Sequence, residues 1–292
     1  MKHAFIEAQK AHYPIKVMCE VLGISESGVY AARKRQESAR AREDRRLKAH
    51  VRAAFEASGR TYGSPRLVHD LRAAGERIGR HRVRRLMREQ ALSAKKPRRF
   101  VKTTDSSHSS KVAENIVQRR WKELAPKPNR LWVGDITFVR TWGGWLFLSV
   151  FLDAYSRRIV GFAMSDSLDA SLATDALAMA LRRRPVEAGL IVHTDRGAQY
   201  TSDAYKRALG QVCATWSMSR KGNCWDNAVA ESFFATLKGE LLERKKWTSR
   251  HEAEAAISNW IEQRYNTRRR HSAIGYLSPS DFERLTPQGP AA

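Results

Sequence analysis

The chain has 292 residues, of which 42% are hydrophobic and eight are Trp, enough apolar material for two or three small folded units. This composition excludes a wholly disordered protein. There is no run of about 18 apolar residues, so no membrane span is expected, and the first residues lack the apolar stretch of a signal peptide. The three cysteines lack CxxC spacing, which argues against a disulfide framework or a zinc knuckle and favours the cytoplasm.

The formal net charge is +23 at pH 7, and it is unevenly distributed along the chain. Residues 1–125 contain 30 Lys and Arg against 13 Asp and Glu, whereas residues 126–292 contain 23 against 17. A highly charged soluble surface usually interleaves both signs. The imbalance instead indicates a polyanionic partner, bound mainly through the first two-fifths of the chain.

Two helix-turn-helix units are predicted in this basic region. In the first unit, helices over residues 15–22 and 26–35 flank a turn, and Ser25 is placed to cap the second helix. In the second unit, Ser64 is a predicted N-cap and Pro65 takes the first helical position. A turn over residues 75–79 then leads to a helix over residues 80–88.

The last of these helices is rich in arginine. Val83, Leu86 and Met87 fall on its inner face, and the other faces carry arginine, which suits a DNA groove or the flanking phosphates. A solvated basic face on a helical hairpin is the alternative. The predicted DNA contacts comprise this helix and the basic linker after it: Arg80, Arg82, Arg84, Arg85, Arg88, Lys95, Lys96, Arg98 and Arg99.

Beyond the linker, the pattern changes to a mixed α/β order. Strands are predicted over residues 131–140, 145–153, 158–163, 190–193 and 214–218, and helices over residues 170–184, 203–209 and 228–243. The expected domains are a helix-turn-helix DNA-binding region (1–92), a basic linker (93–125), a catalytic core (126–245) and a helical, basic tail (246–292).

Three carboxylates stand out within this core. Asp135 lies inside an apolar strand, where a charge is costly unless it is hydrogen-bonded or neutralised. Asp195 follows the end of a strand, where ligands gather in open α/β sheets. Glu231 borders an apolar stripe in the first turns of a long helix. Taken singly, each has a structural explanation, because a strand-end Asp is often a turn residue and a helical Glu is usually solvated.

Taken together, the three carboxylates favour metal chemistry. They are hard oxygen donors with no accompanying Cys or His set, which suits Mg²⁺ or Mn²⁺. Such ions, two per active site, support the in-line displacement of phosphate diesters. Asp135, Asp195 and Glu231 are therefore the predicted catalytic and metal-binding residues, and no other cofactor site is expected.

The spacing of these carboxylates adds a resemblance. Fifty-nine residues separate Asp135 from Asp195 and thirty-five separate Asp195 from Glu231. The latter interval matches the D,D-35-E pattern of retroviral-integrase-like transposases, and the residues around each carboxylate are similar as well. Lys238 stands where that family has a basic residue, and the segment from Tyr265 to Ser272 matches the family's tail. Over nearly its whole length the chain resembles the second reading-frame product of the insertion-sequence-three family.

The resemblance implies a ribonuclease-H-like core of five strands, preceded by the all-α DNA-binding region. It implies cleavage at the ends of a mobile element, followed by joining of the freed 3′-hydroxyl to DNA. Lys238 would hold a phosphate, since seven residues place it on the face of Glu231. Double-stranded DNA would be the partner of a homo-oligomer associated with the bacterial nucleoid. The active form in this family generally carries a further upstream segment through frameshift fusion.

Other interpretations stay open at this stage. Asp153 is expected to be structural or to support the site, and Asp226 to cap the last core helix. His193 is interpreted as a satisfied strand histidine, although it could reach the site, and Trp225 could stack on a base or fill the core. Two other functions are considered, a non-catalytic DNA-binding regulator of transposition and a ribonuclease-H-type nuclease. The intact triad disfavours the first, and the basic helices are unexplained by the second.

Overall fold

The computed structural model describes residues 2–34, 36–94, 113–220 and 224–285. Within them, residues 2–94 of the basic region form six helices joined by turns. The two predicted helix-turn-helix units are present. The first six helices are α1 (Lys2–Gln9), α2 (Ile15–Leu22), α3 (Glu26–Lys34), α4 (Ala39–Ala57), α5 (Ser64–Ala73) and α6 (Arg80–Glu89).

Helices α1 to α3 enclose a small core of their own, which includes Ile6, Met18 and Val29. Gly23 ends α2 with a φ of 61°, a left-handed conformation that glycine adopts without strain. The Ser25 Oγ then accepts a hydrogen bond from the Gly28 N–H at 3.1 Å. The predicted cap of α3 is therefore confirmed.

Helices α4, α5 and α6 share a second core. Val83, Leu86 and Met87 are buried in it, as predicted. The long helix α4 was not predicted, because its surface is densely charged and only Leu47, Val51 and Phe55 mark its buried stripe at four-residue spacing. Helix α5 begins at Ser64 itself, with Gly63 at the N-cap, so the predicted cap at Ser64 is wrong by one residue.

The remainder of the chain forms a five-stranded mixed sheet with flanking helices. The elements are α7 (Trp121–Leu124), β1 (Leu131–Thr141), β2 (Gly144–Asp153), β3 (Ile159–Ser165), α8 (Ala170–Arg183), β4 (Ile191–Thr194), α9 (Asp203–Gln211), β5 (Thr215–Met218), α10 (Ala228–Glu240), α11 (Arg250–Asn259) and α12 (Pro279–Leu285). Strand β1 pairs antiparallel with β2 and β2 antiparallel with β3, while β4 is parallel to both β1 and β5, giving the order β3-β2-β1-β4-β5. The predicted mixed α/β core is confirmed.

Alternate strand residues pack against opposite helical layers. Val133 on β1 lies in the same core as Phe233 of α10, whereas Trp132 lies in the core formed with Ala176 of α8. Gly161 on β3 allows α8 to approach closely, since a Cβ there would lie 2.2 Å from the Ala176 carbonyl oxygen. The sheet is thus covered on both faces.

The chain after α10 packs onto the α10 face of the sheet. Ile257, Trp260 and Tyr265 are buried in the same core as α10. The Asn266 side chain accepts a hydrogen bond from the Ile159 N–H at 2.9 Å and donates one to the Ile159 carbonyl at 3.0 Å. This side chain therefore continues the backbone pairing at the start of β3. The domain boundaries stay predictions, and none of the described helices is long and apolar enough to cross a membrane.

Candidate active site

The register of the central strands places Asp135 and Asp195 side by side. Val133 on β1 is paired with His193 on the parallel strand β4. Asp135 lies two residues after Val133, and Asp195 lies two residues after His193. Neighbouring strands are about 4.8 Å apart. Because side chains alternate between faces, Asp135 projects on the face of Val133, which α10 covers. Asp195 directly follows β4 and lies close enough for its charge to act on Asp135.

Asp135 is half-buried and electrostatically linked to the other predicted site residues. Burial raises the pKa of its carboxyl well above the ordinary value, and the charge of Asp195 raises it further. The Ile136 N–H, which donates to Asp135 Oδ1 at 2.8 Å, lowers this pKa. Glu231 raises and Lys238 lowers the same pKa by charge. The structure therefore brings these four charged groups into one site.

Asp195 begins a tight loop after β4. Its Oδ1 accepts a hydrogen bond from the Gly197 N–H at 2.9 Å. A Cβ at Gly197 would lie 3.1 Å from that oxygen, so a larger residue would crowd the carboxylate. The next residue, Arg196, donates through Nε to the Ser219 carbonyl at 2.8 Å, which ties the loop to the end of β5. These contacts fix the direction of the Asp195 side chain.

Helix α10 supplies the third carboxylate. Phe233, Phe234 and Leu237 bury one side of the helix against the sheet. Glu231 and Lys238 are half-buried on an adjoining flank, seven residues apart. At 3.6 residues per turn, this spacing keeps both side chains on one line along the helix.

The segment before α10 is held by Asp226, whose predicted role as a helix cap is wrong. The N-cap position is Asn227, and it makes no side-chain capping bond. The Asp226 carboxylate is buried and accepts instead from Arg220 Nε at 2.9 Å, Arg119 Nε at 3.2 Å and Asn115 Nδ2 at 2.8 Å. Hydrogen bonding by Arg220 is the largest cause that lowers the Asp226 pKa to about 2. Three separate stretches of chain are joined at this carboxylate.

His193 has a supporting position beneath the same segment. Its ring is fully buried, with Nε2 3.0 Å from the Asp226 carbonyl oxygen and Nδ1 2.9 Å from Ser217 Oγ. A carbonyl only accepts, so Nε2 carries the hydrogen and Nδ1 accepts from the serine. Burial lowers the His193 pKa to about 4, which keeps the ring neutral. This geometry supports the interpretation of His193 as a satisfied strand histidine.

Asp153 occupies a separate position at the end of β2. It is fully buried and accepts backbone hydrogen bonds from Asn129 at 2.7 Å and Tyr155 at 2.9 Å. Burial raises its pKa to about 6. These bonds organise the turn into β3, in agreement with a structural role.

The donor chemistry of the triad fits a hard divalent cation. Its oxygens are carboxylates, and their mutual repulsion, visible in the raised pKa of Asp135, is the kind that a bound cation relieves. Within the described ranges, no group of three or more His, Cys, Asp and Glu side chains is yet arranged as a metal-holding set. The triad shares one site, but its side chains would have to close around an ion.

The predicted DNA contacts on α6 fall into two groups. Arg82 donates to Asp44 at 2.8 Å and to Glu43 at 2.9 Å, and Arg85 donates to Asp44 at 2.6 Å, so acidic residues of α4 hold both. Arg80, Arg84 and Arg88 are exposed. The linker residues lie outside the described part of the chain: Lys95, Lys96, Arg98 and Arg99. All these DNA contacts stay predictions.

Sequence reasoning missed Asn115, Arg119 and Arg220 as partners of Asp226. The first two lie in the segment interpreted as a linker, and no local pattern connects them with a residue more than a hundred positions later. The only local signal was an aspartate six residues after an arginine. The side chain of Trp225, predicted to stack on a base or to fill the core, lies outside the described residues.

Family comparisons agree with this arrangement. Two models described as integrase core domain match residues 125–224 and 212–279. A model described as HTH-like domain matches residues 41–100. The first two span the strands and helix that carry the three carboxylates, and the third spans α4 to α6. The class defined by fold and site is therefore a ribonuclease-H-like integrase catalytic core preceded by a helix-turn-helix region.

Related proteins narrow this class. The chain is 43% identical to the transposase InsF for insertion sequence IS3A of Escherichia coli strain K12 over 285 residues, covering 97% of this chain and 98% of the relative. It is 42% identical over 265 residues to a 31 kDa protein of insertion element IS600 from Shigella sonnei, covering 91% and 97%. The chain belongs to the IS3 family of insertion-sequence transposases.

Solved structures with similar folds are more distant. The simian T-cell lymphotropic virus intasome in complex with PP2A regulatory subunit B56 gamma has a chain with a TM-score of 0.46 and 14% identity, covering 79% of this chain and 73% of that one. The HTLV-2 integrase catalytic core domain in complex with magnesium has a TM-score of 0.41 and 16% identity, covering 55% and 99%. Membership of a transposase family with an integrase catalytic core places this enzyme among the polynucleotidyl transferases, so the alternative of a non-catalytic regulator is not supported.

Proposed function

We propose that this transposase cleaves the 3′ ends of its element and joins each freed 3′-hydroxyl to target DNA, with Mg²⁺ or Mn²⁺ held by Asp135, Asp195 and Glu231. The observation that carries the proposal is the meeting of three carboxylates: Asp135 on β1, Asp195 after the neighbouring strand β4 and Glu231 on α10. Burial first, and then the charges of Asp195 and Glu231, raise the pKa of Asp135. Carboxylates crowded in this way favour cation binding over any role in stabilising the metal-free fold.

Each carboxylate has a defined task in this proposal. Asp135 would hold the cations from β1, Asp195 from the start of the loop after β4 and Glu231 from α10. When bound, two divalent cations supply Lewis acidity that polarises the scissile phosphate and stabilises charge on the leaving oxygen. The attacking hydroxyl displaces that oxygen in line, so the protein contributes position and charge without a covalent intermediate.

Lys238 is proposed to bind a DNA phosphate beside the triad. It lies on the flank of α10 that carries Glu231, and its charge lowers the pKa of Asp135. A lysine within electrostatic range of the triad offers three donors to a phosphate oxygen. Its task is to hold DNA at the carboxylates.

The helical region is proposed to position the element ends. Arg84 and Arg88 are exposed on α6 and line an open groove with His81. Such residues suit phosphate contacts at a DNA groove. We further propose a homo-oligomer assembled on DNA in the bacterial cytoplasm.

The test is a cleavage and strand-transfer assay on labelled terminal DNA with the Glu231→Gln variant. Glutamine keeps the size of the side chain and removes its charge, so the fold and DNA binding should survive. Cleavage should fall by roughly three or more orders of magnitude, because metal-assisted displacement needs the complete ligand set.

Glu254→Gln on α11, a carboxylate outside the site, provides the matched control and should cleave at the wild-type rate. A folded, DNA-binding Glu231→Gln protein that cleaves as fast as the wild type would remove Glu231 from the site. An RNA–DNA hybrid as substrate tests the nuclease alternative, since the transposase should act on terminal duplex DNA and leave the hybrid intact.

A further inference from the structure

A basic cavity lies on the flank of α10 that faces away from Glu231 and Lys238. It has a volume of about 180 Å³ and is lined by Ser232, Phe233 and Thr236 of α10, with residues of the β2–β3 turn, α5 and the tail. At about 100° per residue, this flank is roughly 150° around the helix from Glu231 and Lys238. The cavity is therefore separate from the carboxylate triad.

Three arginines from distant parts of the chain converge on this cavity: Arg66 from α5, Arg157 from the β2–β3 turn and Arg269 from the tail. Arg269 is neutralised, since it donates through Nη2 to Glu240 Oε1 at 2.9 Å and both side chains are buried. Arg66 uses Nε to donate to the Arg270 carbonyl at 3.0 Å. Within the part of the chain that the structure describes, no carboxylate forms an ion pair with Arg66.

Arg157 is the least compensated of the three. Among the described residues, no carboxylate forms an ion pair with its guanidinium, and none lines the cavity. Burial lowers the pKa of both Arg157 and Arg66, so these cations lie where water solvates them poorly. Two partly desolvated positive charges facing one cavity create a strong preference for an anion.

His271 adds a neutral donor to the same wall. Its Nε2 is buried without a hydrogen-bond partner among the described residues, and its ring packs edge-on against Tyr265 at 4.8 Å. Buried polar nitrogens are normally paired, so this one indicates a ligand. In the tautomer with hydrogen on Nε2, it donates to an oxygen anion alongside the guanidinium groups.

The size and access of the cavity fit a phosphate group. Its volume is several times the roughly 30 Å³ that one water occupies in liquid. Ser232 and Ser272 are exposed at its edge, so a ligand can enter from solvent. We propose that this cavity binds a backbone phosphate of DNA through Arg66, Arg157 and His271. The proposed transposase function enters only in choosing DNA as the source of the phosphate.

The cavity lies where the α4–α6 unit meets the tail and the sheet. Around it, the α4–α6 unit contacts the tail: the Tyr62 hydroxyl accepts from the Arg270 N–H at 2.9 Å, Arg270 pairs with Asp70, and His69 stacks on Tyr276 at 4.2 Å. Since Arg66 belongs to the helical unit and Arg157 to the sheet, one phosphate would bridge the two. DNA bound there would stabilise the orientation of the DNA-binding helices relative to the catalytic sheet.

The test measures the salt dependence of binding to a labelled duplex by fluorescence anisotropy, using the full chain. Arg157→Gln should make the slope of log K against log salt shallower by about one, the loss of one phosphate contact. Arg157→Lys keeps the charge and should retain the slope. Arg182→Gln, an exposed arginine on the α8 face, is the matched control and should also retain it.

Two additional variants and a phosphate control distinguish the possible outcomes. Ser272→Asp places a carboxylate at the cavity edge and should give the same loss, which covers the case in which Arg157→Gln does not fold. Glu231→Gln should keep the full slope, so that failure of the catalytic proposal stays distinguishable. If inorganic phosphate at constant ionic strength raises the melting temperature of the wild type and not of Arg157→Gln, while the DNA slopes agree, the ligand is free phosphate and the DNA assignment is overturned. Unchanged slopes without any phosphate effect would overturn the site.

Discussion

The carboxylate triad and the arginine helix α6 differ in how their functional side chains are held. Asp135 lies on β1 and Asp195 directly after the parallel strand β4, each two residues beyond the paired Val133 and His193. Asp226 secures the segment before Glu231 with three hydrogen-bonding partners. On α6 the arginines differ in environment from one to the next. Arg82 and Arg85 are paired with acidic residues of α4. Arg84 and Arg88 are exposed and line an open groove, to which the paired Arg85 also contributes.

This difference shows what sequence position determines in each region. In a sheet, the register of paired strands determines on which face each side chain projects, so the neighbours of a strand residue are limited to a few positions. On a charged helix, any arginine can turn toward DNA or toward an internal acid, and only the neighbouring helix decides which. Buried contacts thus hold the catalytic side chains, whereas DNA contact depends on which surface arginines are not already paired with an acidic residue of the protein.

The largest expected effect on stability concerns His193, which is buried beneath the segment that leads to Glu231. Its pKa in the folded state, about 4, is below the ordinary value of 6.5. The folded protein therefore binds fewer protons than the unfolded chain between these values, and stability is lost as the pH falls from 6.5 toward 4. This contribution amounts to about 3 kcal/mol at most.

His193→Gln checks this prediction by urea unfolding at several pH values. The variant should be less stable than the wild type at pH 7.5, and the difference in free energy of unfolding should shrink toward pH 4 because glutamine does not titrate. A difference that is constant across this range would show that protonation of His193 does not change the free energy of unfolding.

The next effect concerns Asp226. Asp226→Asn removes the charge that Arg220 and Arg119 share, and we expect a loss of about 2 kcal/mol, less than for a fully buried pair because both arginines are partly exposed. Strand transfer should fall as well, since the segment leading to Glu231 loosens. Asp203→Asn, whose side chain is 83% exposed, is the control and should unfold like the wild type. Equal stability of both variants would contradict the supporting role.

Much of the fold was predictable because the signals are local. The apolar run around Asp135 identifies β1, and Ser202 is a local signal for the start of α9, which it caps by accepting from the Tyr205 N–H at 3.2 Å. The thirty-five-residue interval to Glu231 does not by itself place that residue in space, so its assignment rests on the resemblance together with the chemistry of three carboxylates. Helix α4 and the contacts of Asp226 were missed because a dense surface charge hid the first and long-range topology determines the second.

The smallest effect sharpens the distinction within α6. Arg84→Gln and Arg88→Gln should each make the salt slope of DNA binding shallower by about one, because each removes a phosphate contact. Arg82→Gln and Arg85→Gln should keep the slope and slightly reduce stability, since Asp44 loses the partners that lower its pKa. Anisotropy titrations of the four variants decide this. Equal slopes in both pairs would remove the division between internal and DNA-facing arginines.

The central claim, that Asp135, Asp195 and Glu231 form one charge cluster that needs a cation, is tested most directly by melting Asp195→Asn with and without Mg²⁺. Without divalent ions the variant should melt at or above the wild-type temperature, because burial alone and no longer the Asp195 charge would then oppose ionisation of Asp135 beside Glu231. Millimolar Mg²⁺ should raise the melting temperature of the wild type and of Asp203→Asn, and leave Asp195→Asn unchanged. An Asp195→Asn protein that melts below the wild type in both conditions, with the same Mg²⁺ response, would contradict a shared cation site.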